Sequence, residues 1–168
     1  EAFSLSERNI SGFRLRHKSM AGRVGPGDRF VCYMTKFSRW IGVLEVESTS
    51  FIDEAPVFYP ENDPFVVRFH VRPIVWLSRE LSLPIHDRKV WDTLSWTKGH
   101  AQAGSAWTGK FRTSLLQMPD DDGKFLEQLL LFCGQAVLPL CPMLVLDIVQ
   151  CLYTSIGICM IFRLCRHC

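Results

Sequence analysis

Tyr33, Phe37 and Trp40 crowd one short stretch of this chain, and Trp96, Trp107 and Phe111 recur across another, with Lys36, Arg39, Lys98, Lys110 and Arg112 interleaved. Such rings offer flat faces on which unpaired bases stack for about 1–3 kcal/mol each, and neighbouring cations hold phosphates. A base flipped out of its stack needs walls of this kind and polar edges that read it. For any one ring, burial in a core is the ordinary role. For the set, with glycines and cations between its members, a pocket stands level with that role.

The chemistry of bond making is harder to find. The chain has no GxSxG, no P-loop, no GxGxxG and no HExxH. His17, His70, His86 and His100 are scattered, and none falls in a nucleophile or metal arrangement. Cys32, flanked by Val31 and Tyr33, reads as a small buried hydrophobe. No pair of carboxylates stands out as acid and base. Asp120, Asp121 and Asp122 follow Pro119 and suit the positive end of a helix dipole better than a metal, for which no partner ligands are spaced. The expectation is a binding protein, not an enzyme, with neither cofactor nor metal.

The elements that must position these residues belong to a chain of 168 residues, enough for one compact domain. Hydrophobic residues at 48% and charged residues at 21% are ordinary globular values. A net charge of +2 is too small for a non-specific nucleic-acid coat, so any such binding must come from a local patch. Residues 1–10 contain no apolar stretch of the signal-peptide kind, and the first residue is Glu1 rather than Met, so the chain is expected to start inside a longer reading frame. Of the first 132 residues only Cys32 is a cysteine, which suits a reduced, cytoplasmic protein.

Residues 14–24 read as a short basic helix, stopped by the turn Gly25-Pro26-Gly27-Asp28. Strands follow over 29–35, with Phe30, Cys32 and Met34 on one face and Val31, Tyr33 and Thr35 on the other, and over 40–48. Their closeness predicts a hairpin. A loop covers 49–64. The clearest alternation is 65–74, where Phe65, Val67, Phe69 and Val71 oppose Arg68, His70 and Arg72. That basic stripe is either a solvated sheet face or a strip for phosphates. A short helix over 86–94, a flexible loop over 99–104 and a helix carrying Phe125, Leu126, Leu129 and Leu130 complete the pattern.

The tail differs. Cys133, Cys141, Cys151, Cys159, Cys165 and Cys168 fall in the last 36 residues, and Asp147 is the single formal charge between Ala136 and Phe162. Met143–Phe162 has the 20 residues of a membrane span and is followed by Arg163 and Arg166. Against a span stand Gln150, Pro139, Pro142 and Asp147, the last costing about 2.5–3.5 kcal/mol near mid-membrane. Cys165, His167 and Cys168 lack a second ligand pair for zinc. The expectation is a domain over 1–132 and a non-functional tail over 133–168, out of frame or read through, with a membrane anchor as the alternative.

Several runs together resemble an EVE domain, a PUA-like family related to the YTH readers of methylated adenine. They are Arg16-His17-Lys18, Gly25-Pro26-Gly27-Asp28-Arg29, Val31-Cys32-Tyr33-Met34-Thr35 and IGVLEVES over 41–48. Asp53-Glu54-Ala55-Pro56, Arg68-Phe69-His70-Val71-Arg72-Pro73, Ala106-Trp107-Thr108-Gly109-Lys110-Phe111-Arg112 and Asp122-Gly123 continue the series. The resemblance spans roughly residues 3–131, and the order and spacing of the runs carry it. Members usually begin with a strand bearing an aromatic such as Trp, and no such strand precedes Glu1 here, which would leave a sheet edge open.

The resemblance implies an α+β, mostly β fold, a small PUA-like curved β-barrel with short flanking helices, here without its first strand. It implies a non-catalytic module that recognises a modified base in DNA or RNA, with a neighbouring restriction or modification enzyme as the partner protein. By motif position it nominates Tyr33, Thr35, Trp96, Trp107 and Phe111 for the base, and Arg16, His17, Lys36 and Arg112 for phosphates or base edges. A membrane-anchored protein and a small hydrolase or transferase acting on a nucleobase are the alternatives.

Overall fold

The computed structural model of the chain describes residues 9–56, 62–137 and 158–162. Residues 1–8 and 57–61, most of the tail, and with it the Cys165, His167 and Cys168 group, lie outside the described residues.

Alternating apolar residues build the centre of one sheet. β1 is Ile10–Phe13, β2 Arg29–Met34, β3 Arg39–Val46, β4 Phe51–Ile52, β5 Val67–Trp76, β6 Leu83–Pro84, β7 Leu115–Gln117 and β8 Ile158–Phe162. The main order is β1-β5-β3-β2-β8-β7, with β4 beside β5 and β6 beside β3. All pairings are antiparallel except β7 with β8. The expected hairpin is β2–β3. The turn before it is closed by the Gly25 amide donating to Asp28 Oδ2 at 2.9 Å, with Gly27 at φ 89°.

Among the described residues three α-helices accompany the sheet: α1 Lys18–Ala21, α2 Arg88–Thr93 and α3 Asp120–Val137. The expected 14–24 helix is a single turn at Leu15–His17 running into α1. Asp87 caps α2, its side chain accepting from the amides of Lys89 and Val90. Asp120, Asp121 and Asp122 lie in the first turn of α3, as expected. The Asp122 carboxylate also accepts from the Ser95 amide at 3.0 Å and the Ser95 hydroxyl at 2.6 Å, tying a distant loop to the helix.

The sheet buries both faces. Phe30, Cys32 and Met34 enter a first core with Phe13, Leu44, Val67, Phe69 and Val71; Val31 and Tyr33 enter a second with Trp40, Val43, Leu126 and Leu130. Register shifts between Cys32 and Tyr33 and between Val43 and Leu44 let Ile41 and Leu44 share the first core while Val43 turns to the second. Gly42 is required there: a Cβ would lie 2.5 Å from the Val75 carbonyl oxygen.

Curvature is strong but closure does not follow. β1 and β2 are separated by two strands, about 14 Å across a flat sheet, yet the Phe13 and Phe30 rings stand 5.4 Å apart. Phe69 completes an edge-to-face trio. The order nevertheless ends at β1 and β7, which do not pair, so the expected barrel is an open, coiled α+β sheet among the described residues.

Two further expectations meet structural detail. The basic stripe on β5, read as a solvated face or a phosphate strip, divides among protein contacts. Arg68 is 2% exposed and clamps the 49–64 loop by donating to Asp53 and to the carbonyls of Ala55 and Phe65. Arg72 is engaged by Glu45 and Glu47, and His70 stacks on Phe51.

The domain boundary expected at 132 falls inside α3, and β8 comes from the tail beyond it. β8 pairs along β2 from Arg29 to Tyr33, with Met160 fully buried in the second core. ICMIF is apolar at every position, the pattern of a strand covered on both faces, which periodicity alone does not separate from a helix. The last five residues of the apolar stretch over 143–162 are thus strand, and its other residues lie outside the described residues. Among the described residues no helix is long and apolar enough to cross a membrane.

Candidate functional site

The loop after α2 is held from several sides, and it delivers most of the candidate rings. The Thr97 hydroxyl, fully buried, donates to the Trp91 carbonyl at 2.8 Å. Trp91 Nε1 donates to the His100 carbonyl at 3.1 Å, and the Gln102 amide donates to the His86 carbonyl. Asp122 fixes Ser95. The chain then turns through Thr108–Arg112, which seats Phe111 against the sheet.

Phe111 is the hub of the resulting cluster. Its ring centroid lies 5.0 Å from Tyr33, 5.5 Å from Trp107, 5.8 Å from Trp40 and 5.9 Å from Trp96. Trp91 meets Trp107 edge-on at 5.1 Å, and the exposed His86 stacks on Trp91. Four of the five residues nominated for the base, Tyr33, Trp96, Trp107 and Phe111, are thus brought together. Thr35 is exposed at the start of the turn after β2.

The cluster is closed rather than an open slot. Tyr33 is 2%, Phe111 5% and Trp107 8% exposed, while Trp96 is half-buried. Burial pushes the Tyr33 phenol above its ordinary pKa, against a smaller opposite effect of the Ser38 hydroxyl. Its N–H groups are the chemical feature of note. Trp91 Nε1 is satisfied, but Trp40 Nε1 and Trp107 Nε1 are buried without a hydrogen-bond partner among the described residues. An orphaned buried donor costs about 1–3 kcal/mol, so each is a place where an arriving acceptor gains.

Exposed cations lie near the rings in sequence. Lys36, Lys98, Lys110 and Arg112 are exposed, Lys36 in the turn two residues past Met34 and Arg112 next to Phe111. Lys110 Nζ stands 5.9 Å from the Trp96 ring centroid. Arg16 and His17 are placed differently: their contacts lead to Asp63, with Arg16 3.8 Å from its carboxylate and 3.4 Å from His17 Nε2. Burial, with Arg16 and Arg14 beside it, lowers the His17 pKa against the pull of Asp63. Nothing in these contacts joins the pair to the ring cluster.

Sequence reasoning missed Trp91, Trp40 and His86 as members of the cluster. Trp91 sits in a helix whose periodicity is too short to reveal a face; its separation from Trp96 was the available signal. Trp40 was noted beside the hairpin but not nominated.

No protein-family model matches the chain. It is similar to a UPF0310 protein of Pyrococcus abyssi, 26% identical over 136 residues that make up 75% of this chain and 89% of that protein. A UPF0310 protein of Pyrococcus horikoshii is 24% identical over 139 residues, covering 76% of this chain and 90% of its own length.

Proposed function

We propose that this chain is a non-catalytic, EVE-like reader of a modified base in DNA or RNA, with the base entering the cluster around Phe111. One observation carries the reading: rings from the hairpin and from the 95–112 loop converge around two buried indole N–H donors, Trp40 Nε1 and Trp107 Nε1, that have no partner among the described residues. A nucleobase has what they lack, a flat π face and in-plane acceptors. Stacking would contribute about 1–3 kcal/mol, and satisfying an orphan donor adds to it.

Because Trp107 and Phe111 are packed, entry requires the 95–112 loop to ease away from Tyr33. The base then takes the space between rings, Trp107 Nε1 donates to a carbonyl oxygen or ring nitrogen, and Lys36, Lys110 and Arg112 meet the flanking phosphates. A methyl group on the base, buried between rings, is worth about 0.8 kcal/mol, close to fourfold in affinity. The PUA-like ancestry of the sheet and a cytoplasmic setting belong to the same reading, supported by the strand pattern of 29–48 and the single cysteine of the first 132 residues.

Fluorescence anisotropy with matched single-stranded oligonucleotides, one carrying a methylated base, tests it at two salt concentrations. The methylated strand should bind several-fold tighter. Lys36→Ala should weaken both strands alike and lower the salt slope by about one. Equal affinity for both strands would end the base-reader reading and leave a basic surface.

A further inference from the structure

The two cysteines at the junction of tail and sheet are placed opposite one another. β8 runs antiparallel to β2, and the register sets Cys32 directly across from Cys159. Directly opposed residues of an antiparallel pair share a face, with Cα atoms about 4.5–5.5 Å apart, inside the roughly 4.4–6.8 Å that a disulfide spans. The register has an internal check. The adjacent pair is Val31 with Met160, and both are fully buried in the second core. One residue along β2, Cys32 alternates to the other face and is fully buried in the first core, and residue 159 is its backbone register partner.

We propose that Cys32 and Cys159 are a redox pair whose disulfide latches the tail strand onto β2. The oxidant is a small disulfide of the glutathione type. The thiolate of one cysteine attacks a sulfur of the small disulfide, breaking its S–S bond and expelling one thiolate. The other cysteine's thiolate then attacks the protein sulfur of the mixed disulfide, forming the Cys32–Cys159 bond and expelling the second thiolate. The two protons lost by the cysteines end on the two small thiols, so the pair gives up two electrons and the small disulfide is reduced.

Pairing identity reports whether β8 is docked. In an undocked tail, Cys151, Cys159, Cys165 and Cys168 lie close in sequence, and short-loop closure favours bonds among themselves. Only the docked strand brings residue 159 to residue 32, across 126 intervening residues. A bond closing so long a loop constrains the unfolded chain strongly, so the oxidised protein should melt higher.

The full chain, equilibrated in glutathione buffers of graded potential, alkylated and digested without reduction, gives the answer by mass spectrometry. The expected product links Cys32 to Cys159, is reversed by dithiothreitol and raises the Tm by about 5–10 °C. In Cys159→Ser that cross-link is absent and the redox shift in Tm falls away. Mapping the wild-type chain needs no variant to fold, so a destabilised mutant does not shelter the proposal. Cys32 remaining an alkylatable thiol after the tail cysteines have oxidised, or linking to any other cysteine, overturns it.

Discussion

The two faces of the same sheet hold cores of different chemistry. On one, Phe13, Phe30 and Phe69 meet edge to face at 5.3–5.9 Å among aliphatic side chains. On the other, Tyr33, Trp40, Trp91, Trp107 and Phe111 pack at similar distances but bring polar atoms with them. Phenylalanine has nothing to satisfy, so the Phe13–Phe30–Phe69 trio needs only shape. Tyrosine and tryptophan bring polar atoms, and in the second core the Trp91 indole N–H meets a carbonyl while those of Trp40 and Trp107 have no hydrogen-bond partner among the described residues. Burial alone does not distinguish the two faces. The ring cluster differs in gathering two such donors around one hub, Phe111.

The comparison is tested hardest by truncating the first core. Phe69→Ala removes a fully buried ring and should cost about 3–5 kcal/mol in urea unfolding, close to the whole stability of a domain of this size. Trp107→Phe, on the other face, should cost under about 2 kcal/mol, because it keeps a ring and removes a donor that had no partner. Its main effect should be on binding: preference for a methylated strand falls from several-fold towards one. If the two substitutions cost the same and neither alters binding, the faces are equivalent.

A smaller effect concerns the ionic cluster on the edge of β2, β3 and α3. Arg29 bonds Glu45 at 2.7 Å and lies 3.9 Å from Glu127. Burial raises the Glu127 pKa above its ordinary 4.5, with Glu45 adding and Arg29 opposing. A carboxylate whose folded pKa is raised contributes stability that is fully present below its unfolded value and lost as pH rises through the folded one. Glu127→Gln should therefore raise the Tm slightly at pH 7 and leave it unchanged near pH 4, measured by thermal scans across that range. An increase at pH 4 equal to that at pH 7 would remove Glu127 from the account.

How much of this was legible follows the same physics. The strands β2, β3 and β5 were readable because alternation is a local signal, and the turn at 25–28 announced itself in its glycines. The bulges were not, since Gly42 looks like any glycine until β5 approaches it. β8 was hidden because an all-apolar run has no period and its antiparallel partner β2 lies more than a hundred residues away in sequence. Among the candidate residues, Tyr33, Trp96, Trp107 and Phe111 stood out as aromatics by type, and the resemblance by motif position chose them over Phe37 and Trp40. That they would close on one another depends on the loop ties through Thr97, Ser95 and Asp122, which no local pattern carries. Arg16 and His17 looked like the rest of the basic set, but chain direction after β1 takes them to Asp63.

Indole resonances give the most direct test of base reading. The chain has five tryptophans, so a 1H–15N spectrum carries five Nε1–H signals, assignable by single Trp→Phe substitutions. Titration with the methylated oligonucleotide should move the Trp107 signal downfield as it gains an acceptor, with Trp40 responding as the rings separate, while Trp91, already bonded to the His100 carbonyl, moves least. Saturation binding that leaves the Trp107 and Trp40 signals in place, or shifts all five alike, would contradict the account and put the nucleic acid elsewhere on the protein.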